Sequence, residues 1–221
     1  MNIEQARFNM IEQQIRPWDV LDAGVLDLLA SVRRDDFVPA AYRALAFVDT
    51  EVPLPTATGP TQCMLAPRVE ARLLQELAVH KHERVLEVGA GSGYMAALLG
   101  HQAQHVTTME IVPELAKMAA DNLKRASVMN VDVVQASGNR GLVADAPFDV
   151  ILLSGSVAEV PPAMLAQLKI GGRLAAIVGQ QPVMRAMLFT RSGEQSFSSV
   201  DLFDTVAPRL KGFDEPTRFT F

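Results

Sequence analysis

The chain holds a single cysteine, Cys63, which excludes an internal disulfide and fits a reducing compartment. It has no excess of positive charge: the formal net charge is -5, so no nucleic-acid or anionic-membrane surface is advertised. No apolar run approaches the roughly 20 residues that a spanning helix needs. The opening Met1-Asn2-Ile3-Glu4-Gln5 has neither the basic region nor the apolar run of a signal peptide. Internal repeats and low-complexity tracts are also missing. These absences lead us to expect a cytoplasmic protein with no membrane or nucleic-acid partner; they leave the oligomeric state open.

What is present is globular. The 221 residues, 49% apolar and 20% charged, fit one large domain with a sizeable core. Ile3, Phe8, Ile11 and Ile15 recur at helical spacing up to Arg16-Pro17, and Val25 to Leu29 form a second helix closing near Arg33-Arg34. The pair Arg33-Arg34, beside Asp35 and Asp36, reads as a solvated helix end rather than a phosphate contact. Residues 37–67 carry Pro39, Pro53, Pro55, Pro60 and Pro67 with little periodicity, yet enough apolar side chains to be ordered. We read them as an irregular substrate-side cover. Pro67 then starts a helix with Val69, Leu73 and Leu77 on one face. His80 and His82 sit on a polar turn without further ligands, so no metal is expected.

From residue 84 the chain alternates strands with helices. Strands are read at Val85–Val88, His105–Met109, Asn130–Val134, Phe148–Leu153 and Arg173–Val178, with helices after Pro113 and from Pro161-Pro162 to Leu168. Gly171-Gly172 is read as a turn before the fifth strand. Two last β-like runs, Val183 to Thr190 and Ser198 to Val206, flank a short turn and form an antiparallel hairpin. The expected fold is α/β: a doubly wound, mostly parallel, seven-stranded Rossmann-like sheet. Residues 1–67 are expected to supply N-terminal helices and cover, and 68–221 the cofactor-binding core of the same domain.

The chain is organised around Glu87-Val88-Gly89-Ala90-Gly91-Ser92-Gly93-Tyr94, a strand entering a glycine-rich turn and then a helix. Glycines there permit positive φ and close approach of a ligand, and the helix start offers amide groups and its dipole. A dinucleotide fingerprint needs glycine where Tyr94 stands. Instead, E-x-G-x-G-x-G resembles the first motif of S-adenosylmethionine-dependent methyltransferases, and an acid before the glycines suits a cofactor with a cationic amino-acid end. Glu110, closing the second strand, is placed to accept hydrogen bonds from ribose hydroxyls; Ile111 follows it. Ser137-Gly138 lies after the third strand, where an adenine edge is met, and Ser154 lies in the crevice at the end of the fourth.

Longer stretches resemble the protein-L-isoaspartate O-methyltransferase family over nearly the whole chain. These are Arg34-Asp35-Asp36-Phe37-Val38-Pro39, the Gln62–Pro67 loop, the glycine turn, Ala146-Pro147-Phe148-Asp149, Pro161 to Leu168 and Gly171-Gly172-Arg173-Leu174. The resemblance implies S-adenosylmethionine as cofactor, S-adenosylhomocysteine as product, and the carboxylate of L-isoaspartyl residues in damaged protein as acceptor. Gln62, Cys63, Met64 and Leu65 then correspond to the substrate loop.

The departures cluster on the acceptor side. Leu65 stands where the family has its active-site serine, Ala136-Ser137-Gly138 replaces Gly-Asp-Gly, and Ala207-Pro208-Arg209-Leu210 corresponds loosely to Val-Pro-Leu. Cys63, without an evident paired base, reads as a small apolar residue rather than a nucleophile. Two readings stay open: a carboxylate methyltransferase, or a degraded relative that binds the cofactor and serves as a binding or regulatory protein, or methylates another acceptor.

Overall fold

A computed structural model describes residues 2–57, 59 and 62–215; Met1, Pro60 and residues 216–221 of the expected core lie outside the described residues. Asn2 caps α1 (Ile3–Met10) by accepting the Glu4 amide, and the chain continues through a π-helical turn, Ile11–Ile15, and a 3-10 turn, Arg16–Trp18. Asp22 caps α2 (Ala23–Ser31) by accepting the Val25 amide at 2.9 Å.

The proline-rich cover contains a small hairpin that periodicity did not reveal. β1 (Val52–Leu54) pairs antiparallel with β2 (Gln62–Met64), Pro53 lying opposite Cys63. Three residues are too few to show alternation, and proline is tolerated because both strands of a two-stranded sheet are edges. Pro67 opens α3 (Pro67–Leu77) as expected.

The main sheet is built from β3 (Arg84–Val88), β4 (His105–Glu110), β5 (Val131–Gln135), β6 (Phe148–Val157), β7 (Leu168–Gln180), β8 (Val183–Arg191) and β9 (Phe197–Asp204). Between them run α4 (Tyr94–Gln102), α5 (Pro113–Arg125) and the single turn α6 (Pro162–Leu165). Strand order is β5-β4-β3-β6-β7-β8-β9, parallel from β5 to β7 and antiparallel beyond. The helix expected to reach Leu168 therefore stops at Leu165, and Gly171-Gly172 lies inside β7 rather than before it. Leu168 is buried opposite Phe148, and the ladder slips before Val150 meets Arg173, which accommodates Gly171 at φ +84°.

Strand alternation sorts the core. Val85, Val106 and Val150 face the layer formed by α1 to α5, while Leu86, Val88, Ile151 and Leu153 face a thinner cover that includes Met164 and Leu210. Glu87 belongs by parity to the first face. β3 lies between β4 and β6, where the chain reverses its direction of travel across the sheet, so the carboxyl ends of these three strands meet in one crevice.

Arg173 ties α3 to this sheet. It donates to the carbonyls of Leu77 and Ala78, at the end of α3, and makes a forked pair with Glu83 at 2.7 and 2.8 Å. Burial pushes Glu83 up, but the Arg173 guanidinium and the His80 amide outweigh it and hold the carboxyl below its ordinary value. Arg173→Ala leaves Glu83 without its cation and should lower unfolding free energy by about 3 kcal/mol, read as a fall in the urea midpoint. A change near zero would show that the clamp contributes nothing net.

Candidate active site

The glycine turn is fixed by its own amides. Gly89 and Ala90 both donate to the Met109 carbonyl at 2.8 and 3.2 Å, and Gly93 donates to the Ala90 carbonyl at 2.7 Å. The Gly91 amide is taken by Glu110 Oε2 at 2.9 Å. Four donors that a phosphate would need are therefore already used, and two carboxylates border the turn. Gly89, Gly91 and Gly93 have φ of +96°, +53° and +83°.

The neighbours of these glycines show what the turn is packed against. A Cβ on Gly93 would lie 3.1 Å from the backbone of Ala119, so α5 sits directly on it. A Cβ on Gly91 would lie 3.0 Å from Leu54, which brings the hairpin of the cover onto the turn. Tyr94, at the position where a dinucleotide fold has glycine, is a core residue, its ring 5.5 Å from that of Phe37 in an edge-on contact.

Glu87 is 0% exposed. Thr108 Oγ1 donates to one of its oxygens at 2.7 Å and Ser154 Oγ to the other at 2.6 Å, so β4 and β6 both grip the acid of β3. Burial nevertheless dominates and, with Glu110 and Glu70 nearby, pushes Glu87 up to about 7 against the two hydroxyls. Glu110 accepts the amides of Gly91 and Val112, one on each oxygen, which leaves each oxygen a further lone pair.

Two cavities lie on either side of Gly89. The first, small at about 30 Å³, gathers Glu87, Gly89, Ala90, Gly91 and Ser154 with Cys63, Met64 and Leu65. The second, of about 20 Å³, gathers Gln62, Gly89, Glu110, Ile111 and Gly138. Gly93 supports the turn from beneath and lines neither, and Ser137 is exposed, its hydroxyl 3.1 Å from Asn139. Leu210 packs over Gly89 and Gly155, held there because residues 207–210 run beside β6 with Ser156 bonded to Pro208 and Leu210. Arg209 points instead to Ser156 and Glu215.

Sequence reasoning missed Arg34, Glu70, Thr108 and Leu210. Arg34 is the clearest correction: the expected solvated helix end is 1% exposed, paired to Glu70 Oε2 at 3.2 Å and donating to the carbonyls of Ala46 and Leu65. Its neighbour Arg33 is the exposed one, against Asp35 and Asp36. Glu70 stands inside the apolar face of α3, a misplaced acid that could have flagged a partner in the core. For Cys63, burial and then the Glu51 carboxylate push the thiol up, so it stays protonated and is a poor nucleophile.

Gly93→Ala should destabilise the protein by about 1–3 kcal/mol, because the new Cβ meets backbone and the φ is strained. A urea midpoint unchanged from wild type would mean that α5 can yield at this contact.

The family model described as protein-L-isoaspartate(D-aspartate) O-methyltransferase matches residues 5–206. A Rhodopseudomonas palustris protein named protein-L-isoaspartate O-methyltransferase is 40% identical over 211 residues, 94% of this chain and 95% of that one. One from Koribacter versatilis is 38% identical over 185 residues, covering 84% and 81%. Among solved structures, one named protein-L-isoaspartate O-methyltransferase superposes with a TM-score of 0.78 at 21% identity, over 96% of this chain and 66% of that chain. Another, from Plasmodium falciparum in complex with S-adenosyl-L-homocysteine, gives 0.75 at 20% identity, over 96% and 99%. At such identities the structures speak to the fold, a Rossmann-like methyltransferase sheet; the sequence matches go further, and the chain belongs to the protein-L-isoaspartate(D-aspartate) O-methyltransferase family.

Proposed function

We propose that this protein transfers a methyl group from S-adenosylmethionine to the free carboxylate of an L-isoaspartyl residue in a peptide or protein. The observation that carries the reading is the shared cavity: the buried acid below the glycine turn and the Gln62–Pro67 loop line one space. The donor set suits this cofactor. Its amides are used internally and its charge is negative, which disfavours a pyrophosphate and favours a cationic amino-acid end at Glu87. The free lone pairs of Glu110 suit two adjacent ribose hydroxyls, with Ile111 and Gly138 along the second cavity.

When bound, S-adenosylmethionine supplies an electrophilic methyl group on a sulfonium. The acceptor carboxylate, with a pKa of about 4, is ionised at neutral pH and needs no base. The work left to the protein is alignment and exclusion of water. Met64 and Leu65, both buried, form the apolar wall of the acceptor side, and protonated Cys63 takes no covalent part. A serine at position 65 would add one hydrogen bond to a charged group, about 1.5–3 kcal/mol, so its replacement by leucine slows transfer without preventing it.

Labelled S-adenosylmethionine with an isoaspartyl peptide should give base-labile methanol, and the matching aspartyl peptide should not. Leu65→Ser should transfer about ten- to a hundredfold faster than wild type. If both proteins bind S-adenosylhomocysteine and neither turns over the isoaspartyl peptide, the isoaspartyl methyl-transfer reading fails and binding without turnover is left.

A further inference from the structure

The acceptor-side cavity holds a second buried carboxylate for which the methyl transfer described above has no use. Glu70, in the first turns of α3, is 4% exposed and lines the same cavity as Leu65 and Glu87. Its cation is already engaged: Arg34 reaches Glu70 Oε2 at 3.2 Å and spends its other nitrogens on the Ala46 carbonyl at 2.9 Å and the Leu65 carbonyl at 2.8 Å. Each nitrogen of Arg34 thus already donates within the protein, and Arg34 does not line the cavity. The titratable groups facing Glu70 are Arg34 from the 3-10 turn Arg34–Asp36, Cys63 from β2, Glu87 from β3 and Tyr94 from α4, with Glu51 beyond Cys63. Only one of these is cationic. Burial is the largest influence on Glu70 and pushes it up to about 7 despite Arg34.

With the cofactor's ammonium set against Glu87, a substrate carboxylate entering this cavity is a second anion beside Glu70 for the single charge of Arg34. Like charges sharing a desolvated site do not all stay ionised, and the least costly remedy is to bind a proton. A carboxylic acid and a carboxylate then form a charge-assisted O–H···O⁻ hydrogen bond. Leu65 has no donor to offer, whereas Glu70 lies in the next turn of chain on the wall of the same space.

We propose that Glu70, as a neutral carboxylic acid, donates a hydrogen bond to the acceptor carboxylate and so makes acceptor binding conditional on the uptake of one proton. The inference rests on the methyl-transfer reading and names how the site selects its acceptor. The proton comes from solvent onto a Glu70 oxygen, and no other bond is made or broken on binding. Once the acceptor oxygen carries the methyl group its negative charge is gone, so above pH 7 Glu70 loses the partner that held the proton and returns it to solvent as the ester leaves.

The sign follows directly. Below pH 7 Glu70 already carries its proton and acceptor affinity is flat; above it, affinity falls about tenfold per pH unit. The test uses protein saturated with S-adenosylhomocysteine, so that Glu87 is engaged throughout. Calorimetric titration with an isoaspartyl peptide in two buffers of different ionisation heat should show uptake of close to one proton per peptide at pH 8 and little at pH 6. In turnover, KM should rise about tenfold per unit above pH 7 while kcat changes less. Glu70→Gln, which keeps a donor but cannot titrate, should flatten KM against pH and abolish proton uptake. Should that variant fail to bind S-adenosylhomocysteine, the wild-type proton count still decides. Peptide binding without proton uptake, and with KM flat to pH 9, would overturn the proposal, reduce Glu70 to a partner of Arg34 and leave methyl transfer intact. An isoaspartyl peptide that binds at no pH to the loaded protein would overturn both.

Discussion

A carboxylate cut off from solvent has to be satisfied by its surroundings, and Glu87 sets the terms for the centre of this fold. It lies on the middle strand of the parallel region, and its two oxygens are met by hydroxyls from the strands on either side, Thr108 and Ser154. Neither hydroxyl supplies positive charge, so the acid remains poised about 7. The turn above it has its own amides committed to Met109, Ala90 and Glu110. The corner is therefore rigid, acidic and poor in donors, the opposite of a phosphate cradle built on the same topology.

Charge arrangement carries the functional argument further than shape does. Within one cavity wall the protein places Glu87 and Glu70, with Arg34 as the counter-charge locked by three partners. On the proposed reading a cationic cofactor end relieves the first acid, and a proton relieves the second when an anionic acceptor arrives. Leu65, on the wall of that cavity, is apolar, so on the same reading binding and alignment depend on these buried acids and on the cover that brings Leu54 onto Gly91.

The parts legible in the sequence were those governed by local rules. The E-x-G-x-G-x-G turn, the alternation of apolar strands with helices, Glu110 at the end of β4 and the closing hairpin all follow from period, spacing and turn chemistry. Arg34 was misread because a charge beside two aspartates resembles a solvated helix end; only the tertiary fold shows that a carbonyl from the cover, another from the loop and an acid from α3 converge on it. β1 and β2 were hidden by their length and by Pro53. The early start of β7 was hidden because Leu168 satisfies either a helix or a strand, and Gly171-Gly172 resembles punctuation when it is a bend within a ladder.

The most direct test of the central claim is the titration of the Glu87 carboxyl itself, followed by carbon-13 NMR and assigned by its loss in Glu87→Gln. In the free protein the midpoint should lie near 7. Saturation with S-adenosylhomocysteine, whose ammonium should face this acid, should move it down by more than about one pH unit, since an adjacent cation favours the ionised form. A midpoint that stays in place or rises while the compound is bound would contradict the account, because the buried acid would then have no part in holding the cofactor.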